Sequence, residues 1–111
     1  EEKNYEWQLV ADKDEILSIM RAYIEKYYDE NDDQQTWFEK IKELSYEFGY
    51  AKEVKEYKEN LDNYKGHVGD VSSVIRIALT TKSMTPNLYD IMKLFGKERI
   101  IKRIEELERN F

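Results

Sequence analysis

Apolar residues recur at helical spacing along most of the chain. Between residues 14 and 28, Ile16, Leu17, Met20, Tyr23, Ile24 and Tyr27 lie three or four positions apart, which is one face of an α-helix, and Asp12 stands where an N-cap belongs. The run Asp29-Glu30-Asn31-Asp32-Asp33 ends that pattern. Carboxylates at a helix C-terminus oppose its dipole, so the run is predicted to be a loop, with Asp33 or Asp32 capping the next helix. That helix carries Trp37, Phe38, Ile41, Leu44 and Phe48 on one face, all read as core, and stops at Gly49. A shorter, highly charged helix is expected from Ala51 to about Asn60, with Val54 and Tyr57 turned inward.

Tyr64 to Gly69 reads as a loop, after which Asp70 is expected to cap an apolar helix containing Val71, Val74, Ile75, Ala78 and Leu79. The β-branched content of that segment leaves a strand as its second reading. Thr85-Pro86 reads as a helix start, with Thr as N-cap and Pro at the first helical position, where its missing N–H costs nothing. Leu88, Ile91, Met92 and Phe95 follow, and Gly96 ends the helix. A last helix carries Ile100, Ile101, Ile104 and Leu107. The expected architecture is all-α, a bundle of about six helices forming one domain over residues 1–111.

Composition narrows the function classes. The chain has 111 residues, 41% hydrophobic and 14% aromatic, enough to build a core. Four Gly and one Pro are too few turn-formers for a β-sandwich. The absence of Cys excludes a disulfide scaffold, a thiolate metal site and a cysteine nucleophile. No apolar run is long enough to span a membrane. Glu1-Glu2-Lys3 does not open a signal peptide and there is no initiator Met, so a cytoplasmic domain of a longer protein is expected. The net charge of −6 conceals a split: residues 1–63 hold nine Lys/Arg against eighteen Asp/Glu, and residues 64–111 hold nine against six. An acidic half joined to a basic half hints at polyanion contact, although solvated helix faces give the same asymmetry.

No residue set reads as catalytic. His67 is the only histidine and lies in a loop between Gly66 and Gly69, without partners for a zinc site. Asp29, Asn31 and Asp33 match the first ligands of a calcium loop, but Gln34 and Lys40 stand where that loop needs Gly and Glu. Gly96-Lys97 lacks the rest of a phosphate loop. No carboxylate pair sits in an apolar setting suited to acid–base work. No cofactor or metal is therefore expected in this chain.

Three blocks carry a resemblance: Arg76-Ile77-Ala78-Leu79-Thr80, then Thr85-Pro86 with Leu88 two residues later, then Leu94-Phe95-Gly96-Lys97-Glu98-Arg99. In this order they closely resemble the C-terminal anticodon-binding domain of bacterial glutamyl-tRNA synthetases. The Trp37-Phe38 helix ending at Gly49, Lys55-Glu56-Tyr57-Lys58 and Tyr64 to Asp70 are similar to the clostridial branch, so the likeness spans residues 12–108. It implies an α-helical domain of the class I synthetase anticodon-binding type. The partners would be the tRNA(Glu) anticodon loop and a catalytic Rossmann domain elsewhere in the parent, with no membrane or DNA partner. The parent would use ATP and magnesium, whereas this chain, whose Lys82-Ser83-Met84 does not match the catalytic lysine loop, would not aminoacylate alone.

Carried over by position, the RNA-binding residues fall on Arg76, Thr85, Pro86 and Leu88, and Lys82, Lys93, Lys97 and Lys102 would supply phosphate contacts. One departure is Thr81, where the family usually has Gly after Ala-Leu-Thr. A guanidinium can stack on a splayed base or donate two hydrogen bonds to it, and Leu88 can pack on a base face. From the residues alone, Arg76 reads first as a structural arginine paired with Asp70 or Asp90, Thr85-Pro86 as a plain cap, and Leu88 equally as core. Tyr5, Tyr27, Tyr28, Tyr50, Tyr57 and Tyr64 read as exposed rings, which suits the alternative of a helical protein-interaction module.

Overall fold

The structure, a computed structural model, describes residues 13–82 and 85–110. The expected Asp12 cap, Tyr5 and Ser83-Met84 lie outside the described residues. Helix α1 (Lys13–Ala22) runs into a π-helical turn, Tyr23–Tyr27, closed by the Tyr28 N–H on the Tyr23 carbonyl at 2.8 Å. Helix α2 spans Gln34–Glu47, α3 Val54–Glu59, a 3-10 turn Leu61–Asn63, α4 Val68–Thr80 and α5 Leu88–Asn110. Helix α5 is broken at Gly96 (φ 75°, ψ 168°), which makes six helical stretches of the five helices. The fold is all-α, as the periodicity predicts, and the strand reading of α4 is excluded.

Helix α4 is central and packs against α1, α2 and α5. Seven of its thirteen residues are buried, among them Val71, Val74, Ile75, Ala78 and Leu79. These meet Ile16, Ile19 and Met20 of α1, Ile41 and Leu44 of α2, and Leu88, Met92, Ile100, Ile104 and Leu107 of α5 in one cluster. A helix apolar on nearly every side belongs in a core. What remains of α4 is a narrow polar stripe in which Ser72, Arg76 and Thr80 follow one another at intervals of four.

Several helix ends are as expected. Asp33 caps α2, accepting the Thr36 N–H at 2.8 Å, and Gly49 follows α2 with φ 88°. Others differ. The start of α4 is capped by His67, whose Nδ1 accepts the Gly69 N–H at 3.0 Å while Asp70 accepts the His67 N–H at 2.9 Å. Asp70 therefore closes a capping box from inside the helix instead of standing before it.

Helix α3 starts three residues later than expected. The Ala51 N–H is used by the Gly66 carbonyl at 2.9 Å, and the Lys65 N–H by the Gly49 carbonyl at 2.9 Å, in a short parallel bridge. Val54 is exposed at 42% instead of turned inward, because α3 buries no residue. Phe38 is also exposed, at 38%, whereas Trp37 is half-buried. Adjacent helical residues differ by about 100° around the axis, and Phe38 falls at the rim of the stripe. Tyr50, expected to be exposed, is buried, and Tyr27, Tyr28, Tyr57 and Tyr64 are half-buried.

Candidate nucleic-acid interface

The polar stripe of α4 opens into a groove of about 630 Å³. Ser72 and Arg76 form one side, and Asn87 and Leu88, at the start of α5, lie beside them. The facing wall comes from the beginning of α2: Gln34, Gln35, Trp37 and Phe38.

Arg76 donates its Nε–H to the Thr85 hydroxyl at 2.7 Å, which leaves its two terminal nitrogens for other acceptors. Among the described residues no carboxylate pairs with it: Asp70 is taken up in the α4 capping box, and Asp90 lies in the capped first turn of α5. The default reading of Arg76 as a salt-bridged structural arginine is thus not what the structure contains.

The segment after α4 fixes this geometry. Thr80 donates its hydroxyl to the Arg76 carbonyl at 2.7 Å and accepts the Lys82 N–H at 3.1 Å. Thr81 closes the helix in the left-handed conformation (φ 68°, ψ −8°), with its N–H on the Ile77 carbonyl at 2.8 Å. The turn that glycine would favour is kept with a β-branched residue in it.

Thr85 is not the N-cap of the next helix. Its hydroxyl is engaged by Arg76 and donates to the Pro86 carbonyl at 2.9 Å. Asn87 caps instead, its side-chain oxygen accepting the Asp90 N–H at 3.3 Å, in keeping with the stronger N-cap preference of Asn over Thr. Pro86 is consequently exposed just outside the helix.

The structure therefore brings Arg76, Thr85 and Leu88 together, with Pro86 adjoining. Leu88 is buried, at 3% exposure, and shows only its edge in the groove. The lysines are not gathered with them. Lys93 turns to a separate cleft of about 220 Å³, donates to the Glu30 carbonyl at 2.5 Å and lies 5.4 Å from the centre of the Tyr89 ring. Lys102 sits in a shallow depression between Glu98 and Glu105. Lys82 and Lys97 are exposed and line neither the groove nor the cleft. Arg99 and Arg103 of the basic half lie against Phe95, 4.5 and 5.5 Å from its centre.

The groove wall from α2 was invisible to periodicity, because an aromatic pair on an apolar stripe reads as core. Its amides, a hydroxyl and one guanidinium can donate to and accept from the edge of a planar heterocycle. No group of three or more His, Asp or Glu side chains is gathered for a metal among the described residues. No helix among those residues is long and apolar enough to cross a membrane.

Comparison with known proteins finds relatives of this chain. A glutamate–tRNA ligase of Acetivibrio thermocellus is 52% identical over 97 residues, covering 87% of this chain and 18% of that protein. The glutamate–tRNA ligase of Clostridium perfringens strain 13 is 46% identical over 91 residues, 82% of this chain and 16% of the relative. That of Sorangium cellulosum is 42% identical over 77 residues, 69% of this chain and 14% of the relative. The chain thus spans less than a fifth of the length of these relatives. No solved structure matches significantly. Residues 51–107 match the family model described as the anticodon binding domain, which covers α3, the capped start of α4, the Arg76 stripe and most of α5, and the chain belongs to that family.

Proposed function

We propose that this chain is the anticodon-binding domain of a glutamate–tRNA ligase. In this reading it holds the anticodon loop of tRNA(Glu), while a catalytic domain elsewhere in the parent enzyme carries out glutamylation with ATP and magnesium in the cytoplasm. The observation that carries the proposal is the Arg76–Thr85 hydrogen bond of 2.7 Å beside the groove, which fixes a guanidinium with two terminal nitrogens to spare. Arg76 reads a base edge, Thr85 holds Arg76 in place, and Pro86 and the edge of Leu88 shape the surface beside it. Anticodon bases are single-stranded and splayed, so side chains can reach their edges. Lys82, Lys97 and Lys102 add salt-dependent phosphate contacts without sequence information, and Lys93 joins them from the neighbouring cleft.

The test is a titration of the 111-residue chain with a stem-loop carrying the glutamate anticodon, beside one with the middle base changed, at low and physiological salt. A several-fold preference that survives the higher salt is expected. Arg76→Ala should weaken binding about ten-fold, the scale of one charge-assisted hydrogen bond, with circular dichroism unchanged. Equal affinity for both loops, vanishing with salt, would reduce the site to a basic patch. Absence of binding at low salt would favour a protein-interaction module instead.

A further inference from the structure

We propose that the first turn of α2 is the second wall of the RNA site, where the Phe38 ring supports one unstacked base and the amides of Gln34 and Gln35 read its edge. This rests on the anticodon-binding reading above and adds to it residues that lie outside the 51–107 segment matched by the family model.

Phe38 sits at the rim of the α2 stripe, 38% exposed, with part of its ring lining the groove. Two neighbours hold the ring in place. Trp37 stacks near it at 6.3 Å and 28° between planes, and the Lys42 ammonium, itself bound to Glu53 at 2.8 Å, lies 5.0 Å from its centre. A fixed, partly exposed aromatic ring is what a splayed base stacks on. Gln34 and Gln35 are exposed on the same wall, and each amide carries a donor and an acceptor, as the edge of a base does.

On the α2 wall the lining chemistry favours a base over a phosphate as the occupant. Among the described residues Arg76 is the one charged side chain lining the groove, and the α2 wall opposite it contributes amides and rings. Asp33 stands immediately before that wall, and the Thr36 N–H holds its carboxyl below the usual carboxylate range, so it is ionised at neutral pH. Asp33 is not in the groove lining, but its negative charge one residue before Gln34 disfavours an anionic phosphate against this wall and leaves a neutral base unaffected. At about 630 Å³ the groove falls within the usual small-ligand range of roughly 300–1,000 Å³.

The experiment uses the same stem-loop titration with Phe38→Ala, Phe38→Trp, the double variant Gln34→Ala/Gln35→Ala and Arg76→Ala. Phe38→Ala should weaken binding by at least about five-fold, the lower end for loss of one stacked base, and Phe38→Trp should restore it. The double variant should narrow the preference for the glutamate anticodon over the altered loop. Parent-like affinity of Phe38→Ala beside a weakened Arg76→Ala would overturn this wall and leave the anticodon reading standing. Parent-like affinity in both would overturn the two together. Loss in Phe38→Ala without rescue by Phe38→Trp would make the ring structural only. Should Phe38→Ala melt early, 4-thiouridine placed in the loop decides on the unaltered chain: cross-links within residues 34–38 support the wall, and cross-links found only elsewhere overturn it.

Discussion

Thr81 adopts φ 68° where a Cβ crowds the following carbonyl. The conformation persists because the Thr81 N–H caps α4 and the neighbouring Thr80 hydroxyl ties Lys82 back to the helix. Strain of this kind costs about 1–2 kcal/mol for a non-glycine residue. Glycine removes it but loses about 0.5–1 kcal/mol through greater freedom in the unfolded chain. Thr81→Gly is therefore expected to stabilise the fold by about 0.5–1 kcal/mol, seen as a higher urea midpoint at unchanged slope. A midpoint at or below that of the parent would show that the turn holds no strain. Because the Arg76–Thr85 bond spans this turn, the same variant also measures whether the residue here matters to RNA affinity.

At the scale of elements, the π-helical turn is fastened to the end of α2 by a small polar cluster. Glu47 accepts the Lys26 ammonium at 2.8 Å and the Tyr27 hydroxyl at 2.7 Å. The Lys26 bond, then the Tyr27 bond, holds the Glu47 carboxyl below its ordinary 4.5. A carboxyl depressed in the folded state adds stability above its unfolded pKa and loses that stability as pH falls through its folded value. Burial, with Glu47 accepting its proton, pushes the Tyr27 phenol from 10.0 up to about 12. Its contribution is complete below pH 10 and is lost as pH rises from there towards about 12; buried Tyr23 is raised in the same direction. Melting temperature should thus fall on both sides, with Glu47→Gln flattening the acid limb and Tyr27→Phe the alkaline one. Limbs that superimpose on those of the parent would remove the cluster from the account.

The helix boundaries show what a sequence can disclose. Asp33 acts through its own side chain and Gly49 and Gly96 through their own backbone freedom, so each is legible where it stands. The π-turn, the His67 cap and the displacement of the cap from Thr85 to Asn87 are not legible in that way. Each depends on a partner settled by the folded chain, such as the Arg76 guanidinium nine residues before Thr85. The candidate site divides similarly. Arg76 and Thr85 were visible through the family blocks, whereas Gln34, Gln35 and Phe38 reach the groove only because α2 packs on α4.

Across the whole molecule, the two halves of opposite net charge share one groove, with α2 from the acidic half facing α4 and α5 from the basic half. A polyanion would meet basic side chains on one side only, so the salt dependence of binding should be shallow for a nucleic-acid site.

The bridge that joins residues 49–51 to 65–67 has a separate consequence. It pinches off everything between as an excursion whose two ends are already pinned together. Neither α3 nor the 3-10 turn buries a residue. Loop-closure entropy grows only slowly with length, about 0.6 kcal/mol for each doubling. A flexible insert of about ten residues after Asp62 should therefore cost no more than about 0.6 kcal/mol and leave stem-loop affinity as it was. A fall in melting temperature well beyond that scale would show that the excursion braces the core. If the insert is tolerated, this is where the domain can change length over evolution, or carry a fluorophore or a fused module, without disturbing what it holds.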